Sequence, residues 1–250
     1  MAQGAIAEGR VTVAGAPADK PARLVGPGEA LAVRSPDHSW ASRGGLKLDA
    51  ALDRFGLDVT GHRCLDAGAS TGGFTDVLLA RGAGEVWAVD VGRGQLHERL
   101  RRDGRVITRD RTNIRLVTGA ELGGAPFETI VADLSFISLR TVAPVLAGEL
   151  AAAGAELVWL VKPQFEAGRR AVSAGKGVIR DPDVWRGALD GVLRVLCDHG
   201  AAIMGAMTSP VRGADGNVEF LIWCRAHGRA GEGSAVDDVV AGALAEAVKA

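Results

Sequence analysis

The stretch that most constrains this chain reads Cys-Leu-Asp-Ala-Gly-Ala-Ser-Thr-Gly-Gly-Phe-Thr, residues 64–75. A short apolar run ends in an acid, Gly68, Gly72 and Gly73 follow within six residues, and a helical pattern begins. That spacing predicts a strand, a tight turn and a helix start, where backbone N–H groups lack intrahelical partners and can meet a ligand. Gly68 lets the chain turn, and Gly72 and Gly73 let a ligand lie against bare backbone.

From Arg63 onward the pattern alternates between the two periodicities. Strands are expected at 63–67, 85–90, 105–108, 127–133, 155–162, 201–207 and 218–224, and helices at 73–81, 95–102, 139–150, 183–198 and 236–248. Apolar residues at 46, 48, 51, 52 and 55 add an amphipathic helix ahead of the first of these strands. Alternating strands and helices call for a mostly parallel sheet covered on both faces. Only the loop 209–217 separates the last two strands, too short for a helical crossover, so they are expected to pair antiparallel as a hairpin. The expected fold is α/β: a Rossmann-like, seven-stranded, mostly parallel sheet with a terminal antiparallel hairpin, as in class I methyltransferases.

The glycine spacing separates two kinds of nucleoside loop. A dinucleotide fingerprint reads G-x-G-x-x-G, whereas here Asp66 precedes Gly68-Ala69-Ser70-Thr71-Gly72-Gly73-Phe74. The order D-x-G-x-x-x-G-G looks like an S-adenosylmethionine loop and disfavours an NAD-dependent oxidoreductase. Asp90 ends the next strand, 22 residues after Gly68, where an acid can take both ribose hydroxyls. Asp110, after the third strand, is expected at the adenine end.

Four charged residues stand where the same sheet edge or its flanking helix would present them. Lys47 lies on the helix before the loop, Asp133 ends the fourth strand, Lys162 ends the fifth, and Glu219 opens the last. Lysine and glutamate in segments this apolar are costly unless paired. Two structural salt bridges would account for them, but ligands of open α/β sheets bind outside the carboxyl ends of the strands, which favours a site.

Five motifs in order, Ser42-Arg-Gly-Gly-Leu-Lys-Leu48, Asp66-Ala-Gly-Ala-Ser-Thr-Gly-Gly-Phe-Thr75, Asp133-Leu-Ser-Phe-Ile-Ser138, Lys162-Pro-Gln-Phe-Glu166 and Gly216-Asn-Val-Glu-Phe220, resemble the TlyA family. Its members are ribosomal RNA 2′-O-methyltransferases, often labelled hemolysin A, with an FtsJ-like catalytic domain. The resemblance spans about residues 5 to 225. It implies S-adenosyl-L-methionine as cofactor, ribosomal RNA or ribosomal subunits as partner, most readily a cytidine as target, and a catalytic Lys47–Asp133–Lys162–Glu219 set. Ribose methylation needs oxygen, methyl and sulfur held in line and help for the departing proton. Lys162 is the candidate that touches the 2′-OH, as a base if neutral or as a stabiliser of alkoxide charge if protonated. No metal is required, and the three cysteines and five histidines lack ligand spacing.

The family also opens with an S4 domain, a small RNA-binding module. Residues 1–34, with short strands expected at 9–15, 20–25 and 30–33, match only its later part. The expected organisation is a partial S4-like segment at 1–34, a linker at 35–45 and a methyltransferase domain at 46–250. Apolar surface left on such a stub favours dimer contacts or disorder at residues 1–34, and loss of the RNA grip would leave a methyltransferase of a small molecule as the alternative.

Charge fits an anionic partner locally rather than globally. Net charge is −1, yet residues 93–115 hold eight arginines against three acids. With no tyrosine, six Phe and five Trp, a wide base-stacking platform is not expected. Apolar runs fall short of the roughly 18 residues that cross a bilayer, and no secretory signal opens the chain, which disfavours a pore-forming lysin and points to the cytoplasm.

Overall fold

The computed structural model describes residues 6, 11–18, 20–33, 40–168, 177–213, 215–229 and 231–249. They fall into two compact units, Met1–Ser39 and Trp40–Ala250. Of the 35–45 stretch expected to link them, residues 35–39 lie outside the described set.

In the first unit, β1 (Val11–Val13) pairs antiparallel with both β2 (Ala16–Pro17) and β3 (Leu31–Val33). Val11 and Val13 bury the same face with Ala18, as residues two apart on a strand must. The strand expected at 20–25 does not form. Its place in the ladder is taken by Ala16–Pro17, while Lys20 and Pro21 lead into turn structure.

The second unit is built on a seven-stranded sheet. In chain order come α1 (Gly44–Phe55), β4 (Arg63–Ala67), α2 (Gly73–Ala80), β5 (Glu85–Val89), α3 (Glu98–Arg101), β6 (Val106–Arg109), β7 (Phe127–Ala132), α4 (Leu139–Ala143), β8 (Ala151–Val161), α5 (Pro163–Glu166), α6 (Pro182–Asp198), β9 (Ala202–Thr208), β10 (Phe220–Arg225) and α7 (Val236–Ala247). The strand order is β6-β5-β4-β7-β8-β10-β9. Strands β4 to β8 pair in parallel, while β10 runs antiparallel to both β8 and β9. The hairpin read from the short 209–217 connection is therefore present. Chain direction along the sheet reverses between β4 and β7, the switch point where open α/β sheets leave a crevice.

Both sheet faces are covered, which is why the strands read as almost unbroken apolar runs. Cys64, Val86, Val158 and Leu221 pack on one face against Leu48 and Leu52 of α1 and Val77 and Leu78 of α2. Leu65, Trp87, Trp159 and Ile222 pack on the other against Val142 of α4, Leu189 and Val192 of α6 and Val240 of α7. Helix α1 buries Lys47, Leu48, Ala51 and Leu52, one stripe at helical spacing, and stops at Gly56, whose φ of 65° is left-handed. No helix among the described residues is long and apolar enough to cross a membrane.

Two expected helices depart from the regular α form their periodicity implied. The segment 139–150 is α-helical over α4 and continues as a wider π-helix, Pro144–Glu149, in which the Leu150 N–H reaches the Val145 carbonyl. Pro144 has no N–H for the α-helical ladder, so the hydrogen bonds slip by one residue there. The segment 95–102 is helical only over α3. The His97 ring caps it by accepting from the Arg99 N–H, and Gly94 before it is held in a turn at φ 62°.

Candidate active site

The loop after β4 is shaped by positive φ angles at Gly68 (87°), Ser70 (48°) and Gly72 (98°). Gly68 has no alternative: a Cβ there would lie 2.6 Å from the Asp133 carbonyl oxygen. The turn is tied to β5, since the Gly68 and Ala69 N–H groups both donate to the Val89 carbonyl. The Ser70 N–H donates to Asp90 Oδ2 at 2.8 Å, and the Gly92 N–H to Asp90 Oδ1 at 2.7 Å. Asp90 thus organises the floor of the crevice with the carboxylate that was expected to take ribose hydroxyls.

Two cavities open along this edge. The first, about 430 Å³, is walled by Lys47, Asp133, Lys162 and Glu219, by Gly68, Ala69, Ser70, Thr71, Gly73 and Phe74, and by Ser42, Arg43, Ser135 and Arg212. The second, about 520 Å³, takes in Val89, Asp90, Gln95, Thr112, Ile114, Arg115, Leu134 and Phe136. Gly68, Ser70, Asp133 and Ser135 belong to both. The two spaces therefore meet at the glycine turn and Asp133. An apolar slot with a few polar groups, ending on bare backbone, is the shape a nucleoside cofactor requires.

The four charged residues form two ion pairs in the first cavity. Lys47 Nζ donates to Glu219 Oε2 at 2.5 Å, and both side chains are buried. Gly213 packs on that carboxylate so closely that a Cβ would come within 2.6 Å of Glu219 Oε1. Lys162 Nζ lies 2.6 Å from Asp133 Oδ1 and donates to Ser135 Oγ at 3.0 Å. Lys162 also faces the Phe165 ring, 5.9 Å from its centroid.

Three residues read as cofactor contacts stand elsewhere. Asp66 is wholly buried beneath the loop and lines neither cavity; its Oδ2 accepts from the Thr75 hydroxyl at 2.6 Å, which ties β4 to α2. Burial, with some help from the charges of Asp133 and Asp90, pushes its carboxyl up to about 7 against the opposing hydrogen bond from Thr75. Gly72 packs against Leu96 and Leu100 rather than facing a cavity. Asp110 also lines neither cavity, because its Oδ2 accepts the Gly94 N–H at 2.7 Å and so holds the turn before α3. Thr112 to Arg115, just beyond it, occupy the wall where Asp110 was expected.

Several cavity residues had no assigned role in the sequence reading. Ser135 and Phe136 follow Asp133 within a quoted motif, and Arg43 lies within another, so a signal for them existed. Arg212 carried none, since its place depends on the turn held by the Gly213 N–H to the Asn217 carbonyl. Phe136 is 90% exposed at φ 64°, with its ring centroid 5.1 Å from that of Phe165.

Comparison with known proteins places these features in context. Residues 40–226 match the model of the FtsJ-like methyltransferase family. The chain is 46% identical over 243 residues to the 16S/23S rRNA (cytidine-2′-O)-methyltransferase TlyA of Mycobacterium tuberculosis, covering 96% of this chain and 90% of that protein. It is 34% identical over 184 residues to the 23S rRNA (cytidine-2′-O)-methyltransferase TlyA of Campylobacter jejuni, covering 74% and 70%. Among solved structures, a Streptococcus thermophilus protein labelled a hemolysin superposes with a TM-score of 0.81 at 36% identity, covering 99% of this chain and 90% of that one.

Proposed function

Because the chain belongs to the FtsJ-like methyltransferase family, we propose that it transfers the methyl group of S-adenosyl-L-methionine to the 2′-OH of a cytidine ribose in ribosomal RNA. The observation that carries this reading is the Lys162–Asp133 pair at the junction of the two cavities. The second cavity, with Asp90 and its apolar walls, suits the nucleoside, and the first suits the acceptor ribose. The TlyA relatives, named for methylating cytidine ribose in rRNA, support RNA over the small-molecule alternative.

The bound cofactor would supply a methyl group on sulfur that is already electrophilic. The chain's own residues then have three tasks. The Gly68–Thr71 backbone and Asp90 orient the nucleoside. Lys162, with a carboxylate 2.6 Å away, presents an ammonium to the acceptor oxygen and stabilises negative charge there as the O–CH3 bond forms, the S–CH3 bond breaks and the hydroxyl proton leaves to water. The buried Lys47–Glu219 pair lines the same cavity and offers its polar groups to the acceptor ribose. Arg43 and Arg212 on the cavity wall supply phosphate contacts, and the exposed Phe136 ring offers a face on which an unstacked base can lie.

Around the second cavity, Arg93, Arg111 and Arg115 are exposed and Arg115 lines it. They extend the basic wall along the path of a single strand. We assign the enzyme to the cytoplasm, beside its ribosomal substrate.

The test is incubation of ribosomal RNA or subunits from a methylation-deficient strain with labelled S-adenosyl-L-methionine, followed by mapping. Label on a cytidine 2′-oxygen is expected, together with binding that weakens linearly in log–log salt plots by roughly 0.7 for each phosphate contact. Label on a base, or salt-independent binding, would overturn the assignment.

A second expectation concerns the cradle. Gly68→Ala combines a left-handed backbone with a collision against the Asp133 carbonyl. Strain of roughly 2–4 kcal/mol should push the loops after β4 and β7 apart. Calorimetry should then show cofactor affinity reduced at least about tenfold, in keeping with about 1.4 kcal/mol per decade. Unchanged affinity would mean that the nucleoside does not rest on this turn.

A further inference from the structure

We propose that Glu166 is a positioning residue that sets the Lys162–Asp133 geometry, an inference that rests on the methyltransferase reading above. Glu166 lines neither cavity, and its side chain is only 2% exposed. A carboxylate so buried is costly unless every oxygen is engaged. Here Oε2 accepts from Ser138 Oγ at 2.5 Å and from Arg140 Nε at 3.2 Å, while Oε1 accepts from the Leu139 N–H at 2.7 Å. The Glu166 carbonyl accepts from Arg140 Nη2 at 2.7 Å as well.

All these partners belong to one segment, the residues that follow Asp133, Ser135 and Phe136. Glu166 itself closes the short turn that begins at Lys162, which is locked by the Phe165 N–H to the Lys162 carbonyl and the Ala167 N–H to the Pro163 carbonyl. Two arms, 133–138 and 162–166, thus leave adjacent parallel strands at the carboxyl edge. They meet at Lys162 with Asp133 and Ser135, at the facing rings of Phe136 and Phe165, and at Glu166. The lysine pair lines the cavity and the Phe136 ring is exposed. Glu166 is the one cross-link sealed from solvent, and so the one that can hold the spacing when substrate enters. Catalytic groups must be held to within about half an ångström, and an error of about 1 Å costs on the order of 10²-fold.

The test compares wild type with Glu166→Ala and Glu166→Gln, well below the melting temperature of each. Glu166→Ala is expected to lower kcat by about 10²-fold, with KM for RNA and cofactor affinity changed by less than about tenfold, since Asp90, the glycine turn, Arg43 and Arg212 stand outside the two arms. Glu166→Gln, which keeps an acceptor for the Leu139 N–H, should recover a large part of kcat. In parallel, NMR of isotope-labelled lysine should show the Lys162 side-chain signal displaced in Glu166→Ala and near its wild-type position in Glu166→Gln. A purely structural role would lower the melting temperature of both variants and leave kcat and the Lys162 signal alone; that result overturns the proposal. Should wild type itself fail to methylate ribosomal RNA, the functional reading falls. The Lys162 signal still decides the positioning role, with an undisplaced signal in Glu166→Ala counting against it.

Discussion

Lys162→Ala should reduce methyl transfer by about 10³-fold or more while leaving cofactor affinity within about threefold. The size of the effect follows from what the ammonium does. A positioned group that moves or shields a proton contributes about 10²–10⁴-fold, and one preorganised donor at a developing oxyanion about 10²–10³-fold. Lys162 touches Asp133 and Ser135 of the shared wall, and no other described cation pairs with Asp133. Cofactor binding should survive because the second cavity is lined by Val89, Asp90, Thr112 and Ile114 and does not include Lys162. Single-turnover rates with calorimetric cofactor affinity separate the two quantities. Wild-type turnover would remove Lys162 from the reaction, and loss of cofactor binding alone would make it a cofactor contact. Lys162→Arg should restore little, since a planar guanidinium cannot occupy the place of a compact ammonium between Asp133 and Ser135.

Glu219→Ala is expected to cost about 3–5 kcal/mol of stability, because it strands a buried lysine charge. Lys47 is 8% exposed and Glu219 3% exposed, and no other carboxylate pairs with Lys47 among the described residues. For a chain of this size the melting temperature should fall by roughly 6–20 °C. The double variant Lys47→Met/Glu219→Leu decides whether the pair is there for stability. Two apolar side chains of similar volume can replace a buried ion pair at little or no cost, so the double variant should melt close to wild type. Turnover should nevertheless stay low, because the cavity wall has lost its polar groups. Recovery of both stability and turnover would reduce the pair to a structural salt bridge.

The sheet, its hairpin and the five motifs were legible because each is a local pattern. Strand and helix periodicities are carried by neighbouring side chains, and the 64–75 turn announces itself through glycine spacing. What escaped depends on contacts between distant segments. Asp66 and Asp110 carry the right chemistry near the right loops, but only the packing of Thr75 and of Gly94 shows that one oxygen of each is already engaged within the fold. The helix expected over 139–150 is present, but it widens to π geometry at Pro144, where one missing N–H shifts the ladder. Glu166 stood in a quoted motif, yet its partners lie 26 to 28 residues away and leave no periodic trace. The pairing of Lys47 with Glu219 and of Lys162 with Asp133, rather than the reverse, is likewise a matter of tertiary placement.

The span between Lys47 and Glu219, 172 positions along the chain, has a consequence for synthesis. Strand β10 enters the sheet between β8 and β9, so the last wall of the cavity arrives after every other strand has been made. A nascent polypeptide carries the glycine turn, Asp133 and Lys162 well before it has a mate for its early lysine. Maturation of the enzyme is therefore timed by its own C-terminal third, and no shortened translation product that stops before residue 219 can assemble a complete site.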